Sequence, residues 1–344
     1  MFNPFRLVLR TILDSFTLSC GVLFCLFGTP PSVKVRRALM RLHCATNGKA
    51  SDVLARFLKV FEGSREPEAV VGLLGNLSVA EQSRIVDEIS KNGFFVFEKR
   101  ISSELCDRIA EFARVTPAVL DGKALDQPEL FDSINPKSKA YRLTEHSIAQ
   151  NCAMQEIMAD PSILAIAEGY IGITPMLSML NLWWSSTYGK DPNDHAAQQF
   201  HFDFDPPPKW LLFFVYLTDV GPDNGPHVYV RGSHKAGHQA AAALLKRGYV
   251  RIADEEITSS FGVQNVVEIH GKRGTVLAVD TRGFHKGKTL IQGHRLMAQL
   301  TYSYPSFGGA HCSVERLQTE TVLPQLLNAA RALPKVFSRY LQIN

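Results

Sequence analysis

Within the segment Gln198-Gln-Phe-His-Phe-Asp203, an imidazole and a carboxylate stand two residues apart. On a strand, residues i and i+2 point to one face, so His201 and Asp203 can reach the same metal ion while Phe202 packs the other way. Two such ligands occupy adjacent corners of an octahedron. His285, 82 residues after Asp203, is the candidate for the third. It follows the strand-like run Thr275–Val279 and the turn Asp280-Thr-Arg-Gly283. Together the three make a 2-His-1-carboxylate facial triad, which suits non-haem iron and leaves three positions open for a cosubstrate and O₂.

Ten residues past His285, Arg295 opens the apolar run Leu296–Tyr304. An antiparallel neighbour returning after a turn would bring it beside His285. A guanidinium there can clamp a carboxylate through two parallel hydrogen bonds, as the far end of 2-oxoglutarate would need in an apolar barrel. Each residue has a plainer reading. An HxD tripeptide arises by chance, a lone histidine is usually a satisfied polar side chain, and a lone arginine is usually a surface charge. Order and spacing together favour the metal.

Other polar residues nearby are weaker candidates. Asp205 shares the face of Asp203, but Pro206-Pro-Pro208 bends the chain there. His294 would face away if Arg295 faces in, and His195 falls in the polar loop before the motif. His227, His234 and His238 read as structural, and His270 and His311 have no evident partner.

These residues need strands to hold them. Apolar runs at Met176–Leu182, Trp210–Leu217, His227–Val230, Val266–Ile269, Thr275–Val279 and Leu296–Tyr304 are separated by Gly221-Pro-Asp-Asn-Gly-Pro226, Gly271-Lys-Arg-Gly274 and similar turns. Many short strands with such punctuation predict a barrel or jelly roll. Ahead of them, Ser78 and Glu81 match a capping box for a helix ending at Asn92-Gly93. Phe94–Phe97 reads as a short strand, and Ser102 or Ser103 caps the next helix. Residues 318–341 read as helical, interrupted by Pro324 and Pro334.

The chain has 344 residues, 45% hydrophobic and 20% charged, the balance of a folded protein. Its net charge of +4 is unevenly spread: residues 1–50 carry seven Lys/Arg against one acid, Asp14. Such a basic terminus can meet an anionic membrane or an acidic partner, or can be a solvated helical face. No zinc-finger spacing and no basic–aromatic interleaving point to nucleic acid. The six cysteines form no CxxC pair and read as thiols of a reducing, cytoplasmic compartment. Phe16–Phe27 is strongly apolar but only 12 residues long, short of the roughly 20 that span a bilayer. A docked helix, a membrane-associating helix and a signal or anchor therefore all stay open, with contact expected through residues 1–43.

The ordered set Gly93-Phe-Phe-Val-Phe97, His201-Phe-Asp203, Tyr216-Leu-Thr-Asp-Val220, Asn224-Gly-Pro226 through Gly232-Ser-His-Lys235, and His285 with Arg295 resembles the phytanoyl-CoA dioxygenase family over residues 78–305. The resemblance implies an α+β fold with a mainly β core, a double-stranded β-helix of jelly-roll, cupin-like type flanked by helices. It implies Fe(2+) on His201, Asp203 and His285, 2-oxoglutarate on Arg295, and O₂ as oxidant. A carboxylate at 203 favours hydroxylation of a small molecule over halogenation, with succinate and CO₂ released. Where relatives often carry Trp this chain has Phe214, which leaves the second cosubstrate contact open between Asn181 and Gln198. Trp183, Trp184, Tyr188 and Trp210 are either core or pocket wall. The competing reading is a non-catalytic metal-binding module, a sensor or scaffold, which would have no need of Arg295. The expected organisation is a helical extension at 1–76, the oxygenase domain at 77–310 and a helical tail at 311–344.

Overall fold

The computed structural model describes residues 4–27, 29, 31–121, 127–189, 198–203, 208–305 and 314–342. Three helices lead: α1 (Pro4–Leu26), α2 (Val33–Ala45) and α3 (Lys49–Glu62). A small hairpin follows, β1 (Val70–Gly72) with β2 (Gly75–Leu77), in a stretch that the sequence marked as helical. Next come α4 (Val79–Asn92), β3 (Phe94–Val96), α5 (Ser103–Val115), β4 (Val119–Leu120) and β5 (Ala140–Arg142). Ser78 caps α4 by accepting from the Glu81 N–H, and Gly93 ends it at φ 90°.

Helices α6 (Glu145–Gln150), α7 (Cys152–Met158) and α8 (Pro161–Ile171) precede the main strands β6 (Met176–Ser186), β7 (Trp210–Tyr216) and β8 (His227–Val230). Then come α9 (Gln239–Leu245), α10 (Asp254–Phe261), β9 (Val266–Ile269), β10 (Val276–Val279), β11 (His285–Gly287) and β12 (His294–Ser303). The C-terminal helices α11 (Pro324–Ala332) and α12 (Pro334–Phe337) begin at the two prolines, which suit a first helical turn that needs no N–H donor.

The strands form a double-stranded β-helix. One sheet runs β3-β10-β7-β12-β6-β5-β4, the other β11-β8-β9, with neighbouring strands antiparallel. Strand β7, Trp-Leu-Leu-Phe-Phe-Val-Tyr, is buried throughout because both its faces are covered. Leu211, Phe213 and Val215 pack outward in one apolar cluster with α4, α5 and α8 residues such as Ile85, Ile109 and Ile166. Trp210, Leu212, Phe214 and Tyr216 face inward and meet Trp183, Met297, Tyr229 and Ile269 from both sheets. A third cluster, Phe200, Phe202, Val228 and Phe284 with α9 and α10, backs the smaller sheet. The period of two thus separates an outer wall from an inner surface on each strand.

Helix α1 corrects the length argument made from the apolar run alone. It has 23 residues, and Leu9–Leu26 is long and apolar enough, by length and composition, to cross a membrane. Asp14 lies within this helix, buried in an ion pair with Arg41 of α2. Leu9, Ile12, Leu13, Phe16, Leu23 and Phe24 stay exposed on α1. The five described cysteines are free thiols, and Cys312 lies outside the described residues.

Candidate metal centre

His201 lies on an extended segment that pairs with β11 directly opposite His285. His201 N–H donates to the His285 carbonyl at 3.0 Å and His285 N–H to the His201 carbonyl at 2.8 Å. Opposed residues of an antiparallel pair project to the same side, which puts the imidazole centroids 4.4 Å apart. Asp203 is fixed one step on, its N–H donating to Thr281 O at 2.7 Å. Its two carboxylate oxygens each stand 3.6 Å from one Nε2, Oδ1 from His201 and Oδ2 from His285. One ligand atom from each residue falls within 4.8 Å of the other two.

The second nitrogens explain how the rings are aimed. His201 Nδ1 lies 2.8 Å from Gln199 O, and His285 Nδ1 lies 2.9 Å from Gly283 O. A carbonyl can only accept, so Nδ1 carries the proton in both rings and each Nε2 presents a lone pair. Burial, reinforced by His285, pushes His201 down to about 3, so its ring is neutral and ready to bind a cation. Both histidines are buried, whereas Asp203 is half-buried and marks the open side.

Arg295 points into the same barrel by a route the sequence did not suggest. It is not on a strand beside His285: β11 pairs with β8 in the smaller sheet, and β12 pairs with β6 and β7 in the larger one. The chain crosses between sheets after Gly287, so Arg295 and the three candidate ligands come from facing sheets. Arg295 donates to Gly225 O and, at 3.2 Å, to Ser185 Oγ, while its Nε is buried with no partner. Burial, with Arg142 adding to it, lowers its affinity for its proton. It pairs with no acid among the described residues. A buried guanidinium without a counter-ion is costly, and a carboxylate arriving from solution relieves that cost. The donor set therefore fits both groups, a divalent cation on the triad and a dicarboxylate reaching Arg295.

The other candidates separate clearly. His294 is exposed and packs outward on Phe131 and Trp184. His234 Nε2 binds Ser90 O, His238 packs on Phe261, and exposed His270 contacts Glu268, which are structural roles. His227, read as structural with them, is instead inside the barrel, its ring stacked 5.4 Å from His285. Gln198 is engaged by Lys139 Nζ at 3.4 Å, and Asn181 shares the inward parity of Trp183 on β6. Trp183 and Trp210 line the interior, Trp184 packs outside on Phe131, and Tyr188 is exposed. Asp205, His195 and His311 lie outside the described residues.

The family model for phytanoyl-CoA dioxygenase (PhyH) matches residues 89–291, more than half of the chain and inclusive of all three triad positions. The chain belongs to the phytanoyl-CoA dioxygenase family. It is accordingly an iron- and 2-oxoglutarate-dependent oxygenase. Arg295 lies just beyond the matched residues. No curated protein matches the chain. Among solved structures, similarity extends to EctD from S. alaskensis with 2-oxoglutarate and 5-hydroxyectoine, at 18% identity, over 76% of this chain and 89% of that one, TM-score 0.47. It extends also to the epimerase SnoN in complex with Fe3+, alpha ketoglutarate and nogalamycin RO, at 18% identity, 66% and 84% coverage and TM-score 0.46. A third is the carbocyclase SnoK from nogalamycin biosynthesis, at 16% identity, 70% and 88% coverage and TM-score 0.46. Likeness this distant bears on no residue's role.

Proposed function

We propose that His201, Asp203 and His285 hold the iron, that Arg295 binds the far carboxylate of 2-oxoglutarate, and that the enzyme hydroxylates an unactivated C–H bond of a small, lipid-like molecule. The observation that carries this reading is the convergence of two Nε2 lone pairs and one carboxylate in a barrel whose buried arginine lacks an acid. When bound, iron(II) with 2-oxoglutarate supplies the activation of O₂ that ends in succinate, CO₂ and one oxygen atom delivered to the substrate. The chain's own residues bind and orient. The two Nδ1–H bonds to backbone carbonyls hold the histidine rings in register. Asp203 faces the open side, where substrate enters. Trp183, Phe214 and Met297 line the barrel, exclude water and offer a hydrocarbon surface to the substrate.

A metabolite screen for succinate release above the substrate-free rate tests the reading. A product heavier than the substrate by one oxygen supports hydroxylation. Loss of two hydrogens, or no change in mass, would replace it with ring closure, desaturation or epimerisation. Iron-dependent binding of 2-oxoglutarate with no succinate under any substrate would instead favour the sensor or scaffold reading.

The division into an extension at 1–76, an oxygenase domain at 77–310 and a tail at 311–344 is part of the same proposal. So is a cytoplasmic location with membrane contact through residues 1–43. Its support is the run of exposed apolar side chains on α1, joined by exposed Val53, Phe57, Val60 and Phe61 on α3. Flotation with anionic vesicles should lose the double variant Phe16→Glu/Phe24→Glu; equal flotation of both proteins would end the idea.

A further inference from the structure

His227 is a buried polar residue that the fold does not explain. Its backbone N–H is engaged: it donates to Tyr216 Oη at 3.1 Å, and Tyr216 in turn donates to Ile269 O at 2.8 Å. Its side chain makes no hydrogen bond among the described residues, and Nε2 is buried without a partner. The ring is enclosed by Phe214 at 5.1 Å, His285 at 5.4 Å and Tyr229 at 6.4 Å. In such a setting a hydrocarbon side chain would stabilise the fold more than an unsatisfied imidazole does. Buried polar groups of this kind stand in need of an absent partner.

The position says what that partner is. His227 stands beside the triad, its ring 5.4 Å from that of His285, and Arg295 donates to Gly225 O two residues before it. It is outside the set of three that could hold a metal. The charged neighbour is the Arg295 guanidinium, so the group that fits here accepts hydrogen bonds, as a carboxylate or keto oxygen does. Of the other residues considered for this contact, Gln198 is already engaged by Lys139.

We propose that His227 donates a ring N–H to 2-oxoglutarate, as a binding residue beside Arg295. This rests on the reading that the barrel takes that cosubstrate. The unsatisfied imidazole and the unsatisfied Arg295 Nε are then two halves of one dicarboxylate site, each paired only when the cosubstrate is in place.

The test separates binding from packing. Wild type, His227→Leu and His227→Asn, each loaded with Fe(II) without O₂, are titrated with 2-oxoglutarate by calorimetry, and the same proteins are melted without metal or cosubstrate. His227→Leu should weaken 2-oxoglutarate binding about 10- to 100-fold, the share of a hydrogen bond to a charged group. Its melting temperature should stay level or rise. His227→Asn, which keeps an N–H, should recover part of the affinity. Unchanged affinity in His227→Leu would overturn the proposal, as would a loss of affinity that comes with a lower melting temperature. If wild type binds no 2-oxoglutarate, the cosubstrate reading itself falls, and this inference falls with it.

Discussion

Two buried arginines flank the turn and strand that carry His285, and they live in opposite circumstances. Arg282 is saturated. Its Nε and one terminal nitrogen bind Asp280 at 3.0 and 2.6 Å, and the other terminal nitrogen reaches Asp52 at 3.1 Å and Pro208 O at 3.3 Å. Tyr170 closes the remaining side by donating to Asp280 at 2.6 Å. Burial alone would raise the Asp280 carboxyl, yet Arg282 beside it holds it well below the usual carboxylate range. Arg295, equally buried, has a carbonyl, a hydroxyl and, among the described residues, no acid. Arg282 ties α3, α8 and the 280–285 turn together, so its partners are supplied by the fold. Arg295 keeps its Nε unpaired, which is what the proposed contact with 2-oxoglutarate requires.

Substitutions should divide along the same line. The largest effect belongs to Asp280→Asn, which leaves Arg282 buried without its counter-charge and should cost about 3–5 kcal/mol in denaturant unfolding. A stability close to wild type would break the comparison. Arg295→Leu should do the reverse, changing unfolding stability by about 1 kcal/mol or less while weakening 2-oxoglutarate binding about 100-fold, the worth of a charge-assisted pair. A collapse in stability would make Arg295 a second structural arginine.

Acid gives a smaller effect with a definite sign. His43 and His234 pack near the saturated pair, and burial pushes them down to about 3 and about 4 respectively. The unfolded chain protonates these residues near 6.5 and the folded chain does not, so their contribution is whole above that pH and is lost as pH falls towards 4. Between pH 6.5 and 5.5 the two together should remove about 2 kcal/mol, and replacing both by Gln should lessen the loss over that interval by about the same amount.

The triad was legible because its geometry is local. His201 and Asp203 share a face by strand alternation alone, and His285 needs only one pairing. The position of Arg295 relative to His285 was not legible, since the crossing between sheets after Gly287 is set by register that no local pattern carries. The place of His227 beside His285 is not legible for the same reason, since it appears only when β8 is paired with β11. The saturated cluster is not legible in the sequence, because Asp52, Tyr170 and Asp280 are far apart in it and look like a surface acid, a core aromatic and a turn residue. The length of α1 is not legible in its apolar run, because the helix continues through Asp14, whose partner Arg41 lies 27 residues on.

The most direct test of the central claim is aerobic turnover of 2-oxoglutarate by the purified, Fe(II)-loaded protein, with succinate as the readout. The triad assignment predicts slow succinate formation even without substrate, abolished by chelation and by His201→Ala. Succinate formed equally by wild type and His201→Ala, or by neither, would contradict it.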